Sequence, residues 1–184
     1  MRFRDYRHLS HILGGSSMFL GFILIFILIA LDQVTKYTAQ FFLSGTLEHT
    51  KWIPGIFELS YHENTGASLG ILDGQILIFM IITLIALGIF GYLFIDVDFK
   101  HKKVYSISIV LFIAGTLGNA IDRALLGYVI DFMHYPFLSF ILTPLNISNF
   151  YNNMADMYLS AAIVLFFIDL FFLESKRKKV TIDA

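Results

Sequence analysis

Asp131 stands in "GYVIDFMHYP" (127–136), flanked by Val129, Ile130, Phe132 and Met133. A carboxylate in apolar company is costly unless it is paired or used. A second acid, Asp156, lies in "NNMADMY". Two carboxyl groups brought together cannot both ionise cheaply, so one keeps its proton. The ionised member can take a proton from water while the protonated member donates a hydrogen bond to a carbonyl. Such a pair can hydrolyse an amide without a metal or a covalent intermediate, and it titrates as a unit. Spacing alone makes this chemistry possible and no more.

Other polar residues occur near the same ends of apolar stretches: Asp32 and Lys36, Asn64 and Gly66, Asn119, Asp122 and Arg123, and Asn153. Each has a plainer reading. Asp32 and Lys36 are an i,i+4 helix pair that could anchor a span at the interface. Asp122 and Arg123 could be a snorkelling helix end. Asp156 could be a carboxylate favoured by a helix N-terminus, and Asp131 an exposed loop acid. Ionisable residues in spans cost about 2.5–3.5 kcal/mol each on insertion scales, so several in one leaflet suggest a site.

The elements that must carry these residues follow from composition and charge. The 184 residues are 57% hydrophobic and 15% charged, with mean hydropathy +0.74. Soluble domains run near 45–50% and about 25%. The absence of cysteine excludes disulfides, thiolate metal sites and cysteine nucleophiles. Four stretches are long and apolar enough to cross a bilayer: about 15–36, 75–95, 104–123 and 155–173. The first follows Arg2, Arg4 and Arg7 and competes with a leader-peptide reading. No small-x-small site follows it, and the helical pattern runs on through "DQVTKY".

Lysine and arginine alternate between the loops. Arg2, Arg4 and Arg7 precede span one. Lys100, Lys102 and Lys103 join spans two and three, and Lys176, Arg177, Lys178 and Lys179 follow span four. The opposite loops, 37–74 and 124–154, contain only Lys51. The positive-inside rule then predicts both termini in the cytoplasm. In the first outer loop, partial alternation broken by Pro54, Gly55 and Gly66 predicts short strands in a small sheet. The second, aromatic and free of lysine, is expected at the interface as a loop or short helix. The expected fold is an all-α membrane protein of four transmembrane helices with a small extracytoplasmic β-sheet. Residues 1–184 form one integral membrane domain.

Four segments occur in an order that resembles the lipoprotein signal peptidases (signal peptidase II): "DQVTKY" (32–37), "ENTGASLG" (63–70), "GTLGNAIDRALLGYVIDF" (115–132) and "NNMADMYLSAA" (152–162). The resemblance covers about 15–173, and the combination is specific where any one segment is weak. It implies a membrane aspartyl endopeptidase of the bacterial cytoplasmic membrane, with its site on the extracytoplasmic side. Such an enzyme removes signal peptides from diacylglyceryl-modified prolipoproteins, on the N-terminal side of the lipidated cysteine. It implies Asp131 and Asp156 as the catalytic pair. Asp32, Lys36, Asn64, Gly66, Gly115, Asn119, Arg123 and Asn153 become substrate-binding or supporting positions. No metal or other cofactor is implied. The expected partners are the lipidated precursor and membrane lipids, not nucleic acid, and a monomer is expected. A pocket for the acyl chains would be lined by Gly66, Ala67 and Ser68. Asp122 is expected to orient Arg123 or the loop rather than to act on substrate. Leu69 in place of a large aromatic, Ala114, Asn152 in place of Phe and a long 131–156 gap depart from the family pattern and bear on the pocket's shape.

Other chemistries fit less well. His8, His11, His49, His62, His101 and His134 are scattered, with no H-E-x-x-H. Ser16 and Ser17 lack a partner base in sequence and are expected to bond back to their helix. A Ser68–Lys36 pairing has no recognised context. An ion-coupled carrier would explain intramembrane charge. It would also need polar groups across both leaflets, and there is no inverted repeat.

Overall fold

The computed structural model describes residues 3–45, 50–66, 75–145, 150–175 and 177. Its order is α1 (Phe3–Leu43), β1 (Thr50–Ile53), β2 (Phe57–Asn64), α2 (Ile76–Phe94), α3 (Lys103–Leu126), β3 (Val129–His134), a helical turn α4 (Ser139–Leu142), β4 (Tyr151–Asn152) and α5 (Met154–Ile168), which runs on as a π-helical segment, Asp169–Leu173. Four of these helices are long and apolar enough to span a bilayer. Ala67, Ser68, Leu69, His49, Lys176, Lys178 and Lys179 lie outside the described residues.

α3 is the hub and packs against α5, α1 and α2. Lipid tails are as apolar as leucine, so membrane helices associate through close packing rather than hydrophobic drive. Accordingly α3 buries small residues: Ser106, Ser108, Ala114, Gly115 and Gly118. A Cβ on Gly115 would stand 2.6 Å from the Ala155 carbonyl oxygen, and one on Gly118 would stand 2.6 Å from Asp32 Oδ2. These two positions let α5 and α1 approach. The large side chains face outward instead, among them Phe19, Phe26, Leu77, Ile85, Val164 and Phe171.

α1 continues past residue 36, where the span was expected to end. The added turns bury Ala39 against Phe132 and Met133 of the sheet, with Leu43 beside them. Gln40 Nε2 also donates to the Tyr61 hydroxyl at 3.2 Å. Tertiary contact therefore sets this helix end, and the interface does not.

The sheet is larger than expected. Its strands run antiparallel in the order β1-β2-β3-β4, so the second outer loop supplies half of it. Residues 129–134, expected to lie in an interfacial loop, form an inner strand buried along its whole length. Gly127, at φ +84°, caps α3 with its N–H on the Arg123 carbonyl. A left-handed residue there is easy for glycine and turns the chain from α3 into β3.

Candidate active site

Asp131 and Asp156 meet at Asn153. β3 brings Asp131 in from the sheet, and the first turn of α5 supplies Asp156. Asn153 is the N-cap of α5: its Oδ1 accepts the Asp156 N–H at 3.0 Å, and its own N–H donates to Asp156 Oδ2 at 3.3 Å. This reciprocal capping box makes Asp156 part of the helix start as well as of the site. The Asn153 Nδ2 donates to Asp131 Oδ1 at 2.7 Å. Asn153 thus reaches both carboxylates, Asp131 with its side-chain amide and Asp156 with its backbone N–H.

Each acid holds a second amide. Asn64 Nδ2 donates to Asp131 Oδ2 at 2.8 Å, and its Oδ1 accepts the Gly66 N–H at 3.0 Å. Asn119 Nδ2 donates to Asp156 Oδ1 at 2.7 Å. Asp131 is fully buried. Burial and the neighbouring Asp156 push its carboxyl up to about 7, against the opposing pull of Asn64, Asn153 and the Lys36 charge. An acid near neutrality suits proton transfer at working pH. Asp156 is near enough for its charge to weigh on the Asp131 carboxyl, and acids coupled in this way titrate as a unit.

Beneath the acids lies a charged cluster. Lys36 Nζ stands 2.8 Å from Asp32 Oδ2, 3.1 Å from Asp122 Oδ2 and 2.9 Å from Asn119 Oδ1. Lys36, Asp32 and Asp122 are all 0% exposed. Asp32 Oδ1 accepts the Ala155 N–H at 2.8 Å, so α1 supports the first turn of α5. Asp122 Oδ2 accepts the Ile130 N–H at 3.1 Å, one residue before Asp131. Asp122 therefore orients the strand that carries the acid. Arg123 donates to the Gly66 carbonyl at 3.1 Å and lies 4.3 Å from the Phe79 ring centre, tying the segment after β2 to α3 and α2. Gly115 sits deeper, at the α3–α5 contact.

Three participants were not singled out by sequence. Gln33 Nε2 donates to Asp122 Oδ1 at 2.9 Å and to the Gly118 carbonyl at 3.2 Å. Gly118 makes room for Asp32, and Ala155 is fully buried against it. The signals were present: Gln33 lies inside "DQVTKY", and Gly118 is i+3 from Gly115 on one helix face. Among the described residues no group of three or more His, Cys, Asp or Glu side chains could hold a metal ion.

A bundle of spanning helices capped by a sheet, with two acids held by asparagines where helix and strand meet, defines a polytopic membrane protein with an acidic candidate site. A family model described as signal peptidase (SPase) II matches residues 24–172. The lipoprotein signal peptidase of Enterococcus faecalis is 34% identical over 159 residues, covering 86% of this chain and 91% of that protein. That of Latilactobacillus sakei is 36% identical over 166 residues, covering 90% and 100%. A solved structure described as a bacterial membrane enzyme superposes with TM-score 0.69 at 30% identity, covering 87% of this chain and 91% of that one. The chain belongs to the signal peptidase II family.

Proposed function

We propose that this protein removes signal peptides from diacylglyceryl-modified prolipoproteins, cutting on the N-terminal side of the lipidated cysteine, with Asp131 and Asp156 as the catalytic pair. The observation that carries the reading is the bridging of the two carboxylates by Asn153, whose Nδ2 donates to Asp131 Oδ1 and whose backbone N–H donates to Asp156 Oδ2. The relatives from Enterococcus faecalis and Latilactobacillus sakei, both described as lipoprotein signal peptidases, support the substrate class.

In this reading the ionised carboxylate takes a proton from water as the oxygen attacks the scissile carbonyl. The protonated carboxyl donates to that carbonyl as charge develops on it. The tetrahedral intermediate then collapses, and the departing cysteine amine receives a proton from the pair. Asn64, Asn119 and Asn153 hold the acids in place for the attacking water and the substrate carbonyl. Gly66 and Arg123 shape the wall on the far side of the peptide. The acyl chains stay in the bilayer, so the bond to be cut is held at the level where the sheet meets the helices.

The whole chain acts as one multi-pass unit of the bacterial cytoplasmic membrane. Both termini are cytoplasmic and the site is extracytoplasmic, as the lysine and arginine distribution supports. It works as a monomer in contact with membrane lipid, without nucleic acid.

The substrate class is tested with purified protein and two synthetic precursor peptides, one carrying a diacylglyceryl cysteine and one an unmodified cysteine. The first should be cut to leave the lipidated cysteine as the new N-terminus, read by mass spectrometry. Equal cleavage of the unmodified peptide would contradict the assignment.

A further inference from the structure

An asparagine amide can face either way, and its orientation is set by what its neighbours can donate or accept. Around the acids each amide is held by a partner that can only donate. Asn64 Oδ1 takes the Gly66 N–H, and Asn153 Oδ1 takes the Asp156 N–H. Both locks are backbone groups. The third differs: Asn119 Oδ1 takes Lys36 Nζ at 2.9 Å, together with Asn153 Nδ2 at 3.1 Å. With its oxygen committed in this way, Asn119 must turn Nδ2 onto Asp156. Lys36 is matched to the task. An ammonium has three N–H donors, and Asp32, Asp122 and Asn119 provide three acceptors.

We propose, building on the catalytic reading above, that Lys36 is a positioning residue. It locks the Asn119 amide so that its donor holds Asp156, and it places a fully buried positive charge beneath the acid pair. Structural anchoring alone would need only Asp32 and Asp122 as partners. The third contact is the one that reaches the site, and through Asn119 it reaches both acids, since Asn119 also accepts from the Asn153 amide that holds Asp131.

Several charges face the pair. Asp32 and Lys36 approach from α1, and Asp122 and Arg123 from α3. His62 of β2 is the cross-strand partner of Asp131. Arg123 is attracted to Asp156, Asp131 and Asp122, but its guanidinium is spent on the Gly66 carbonyl and the Phe79 ring. Lys36 alone among these cations touches an amide that holds an acid of the pair. Its charge favours the ionised form of that pair.

The test is a pH–rate profile on a diacylglyceryl peptide in detergent or lipid nanodiscs. The double variant Lys36→Met/Asp122→Asn removes the cation with one of its two counter-ions and so avoids stranding two acids; because Asp122 itself holds the Ile130 N–H, the double variant is read against Asp122→Asn alone. It should lower kcat about 10-fold or more with KM changed less than about 3-fold, because the pair and not substrate binding is disturbed. The acidic limb should move up by about half a pH unit or more. Asn119→Leu keeps the Asp32–Lys36–Asp122 cluster and cuts the link. It removes the hydrogen bond to Asp156 directly and so sets the upward shift that loss of this donor produces; if the double variant is not recovered folded, Lys36→Met/Asp32→Asn, which discards the other counter-ion, is read in its place. A merely structural lysine would reduce the amount of active protein and leave the limb in place. An unmoved limb in either folded double variant overturns the proposal. Asp131→Asn is run alongside: if it still cleaves, the catalytic reading itself fails, whereas an inert Asp131→Asn with unmoved limbs elsewhere refutes the lysine role alone.

Discussion

Asp131 carries the tension between stability and chemistry in this site. Its carboxyl is pushed up to about 7 by burial first and by Asp156 second. A folded value above the unfolded one means that the native state binds the extra proton between the two. Stability then falls as pH rises from about 4 through about 7 and stays lowered above that range. Asp131→Asn removes the charge and keeps the shape. It loses one amide hydrogen bond at every pH, but its thermal midpoint relative to wild type should be higher at pH 8 than at pH 5, read by unfolding in detergent. A difference independent of pH would speak against a protonated acid at this position. Lys36→Met alone destabilises. It leaves Asp32 and Asp122 without their shared cation, and breaking a buried pair costs about 3–5 kcal/mol.

Among the elements, α3 and the start of α5 position the site, and they do so through small residues and caps. Gly118→Ala would drive a methyl into Asp32 Oδ2 and the Ala155 Cβ. Overpacking of this kind costs about 1–3 kcal/mol. Gly88→Ala on α2, where a Cβ meets nothing within 4 Å, is the control and should cost nothing. Thermal unfolding of the two variants side by side distinguishes a specific contact from a general intolerance of α-helical substitution. Asn153→Ala should destabilise by about 1 kcal/mol from loss of the cap. It should also lower activity much more than that figure implies, since the same amide holds Asp131.

How much of this the sequence discloses depends on the range of the cause. Helix existence was legible because unbroken apolar runs such as 18–31 dictate it locally. Where α1 ends was not, because the packing of Ala39 on Phe132 and Met133 joins residues remote in the chain. The second outer loop read as interfacial because its aromatic residues suit that depth. β3 became an inner strand because β2 and β4 cover its edges, a pairing that no local pattern announces. Asp131 stood out through its apolar neighbours, which proved to be buried strand residues. The roles of Gln33 and Gly118 exist only once α1 and α3 are in contact, so no local pattern discloses them.

For the whole molecule, the sheet lies at one end of the bundle. The start of α1, the α2–α3 connection and the end of α5 share the other end. There Ser16 and Ser17 border a cavity with Asp98, Phe99, Lys100 and His101. The proposed orientation gives a direct expectation, helped by a chain without cysteine. Ile56→Cys, at the exposed hairpin between β1 and β2, should react with an impermeant maleimide on intact cells or spheroplasts. Lys100→Cys should react only after permeabilisation. The reverse pattern would invert the topology and move the site to the cytoplasmic face.

The central claim is that two acids on different elements share one catalytic task, and a paired substitution tests it most directly. Wild-type protein, Asp131→Asn and Asp156→Asn are reconstituted in the same lipid, checked for equal folding, and given the same diacylglyceryl precursor. Each variant should lose activity by about 10²–10⁴-fold or more, since each acid is needed for proton transfer. Cleavage near the wild-type rate by either folded variant would contradict the account.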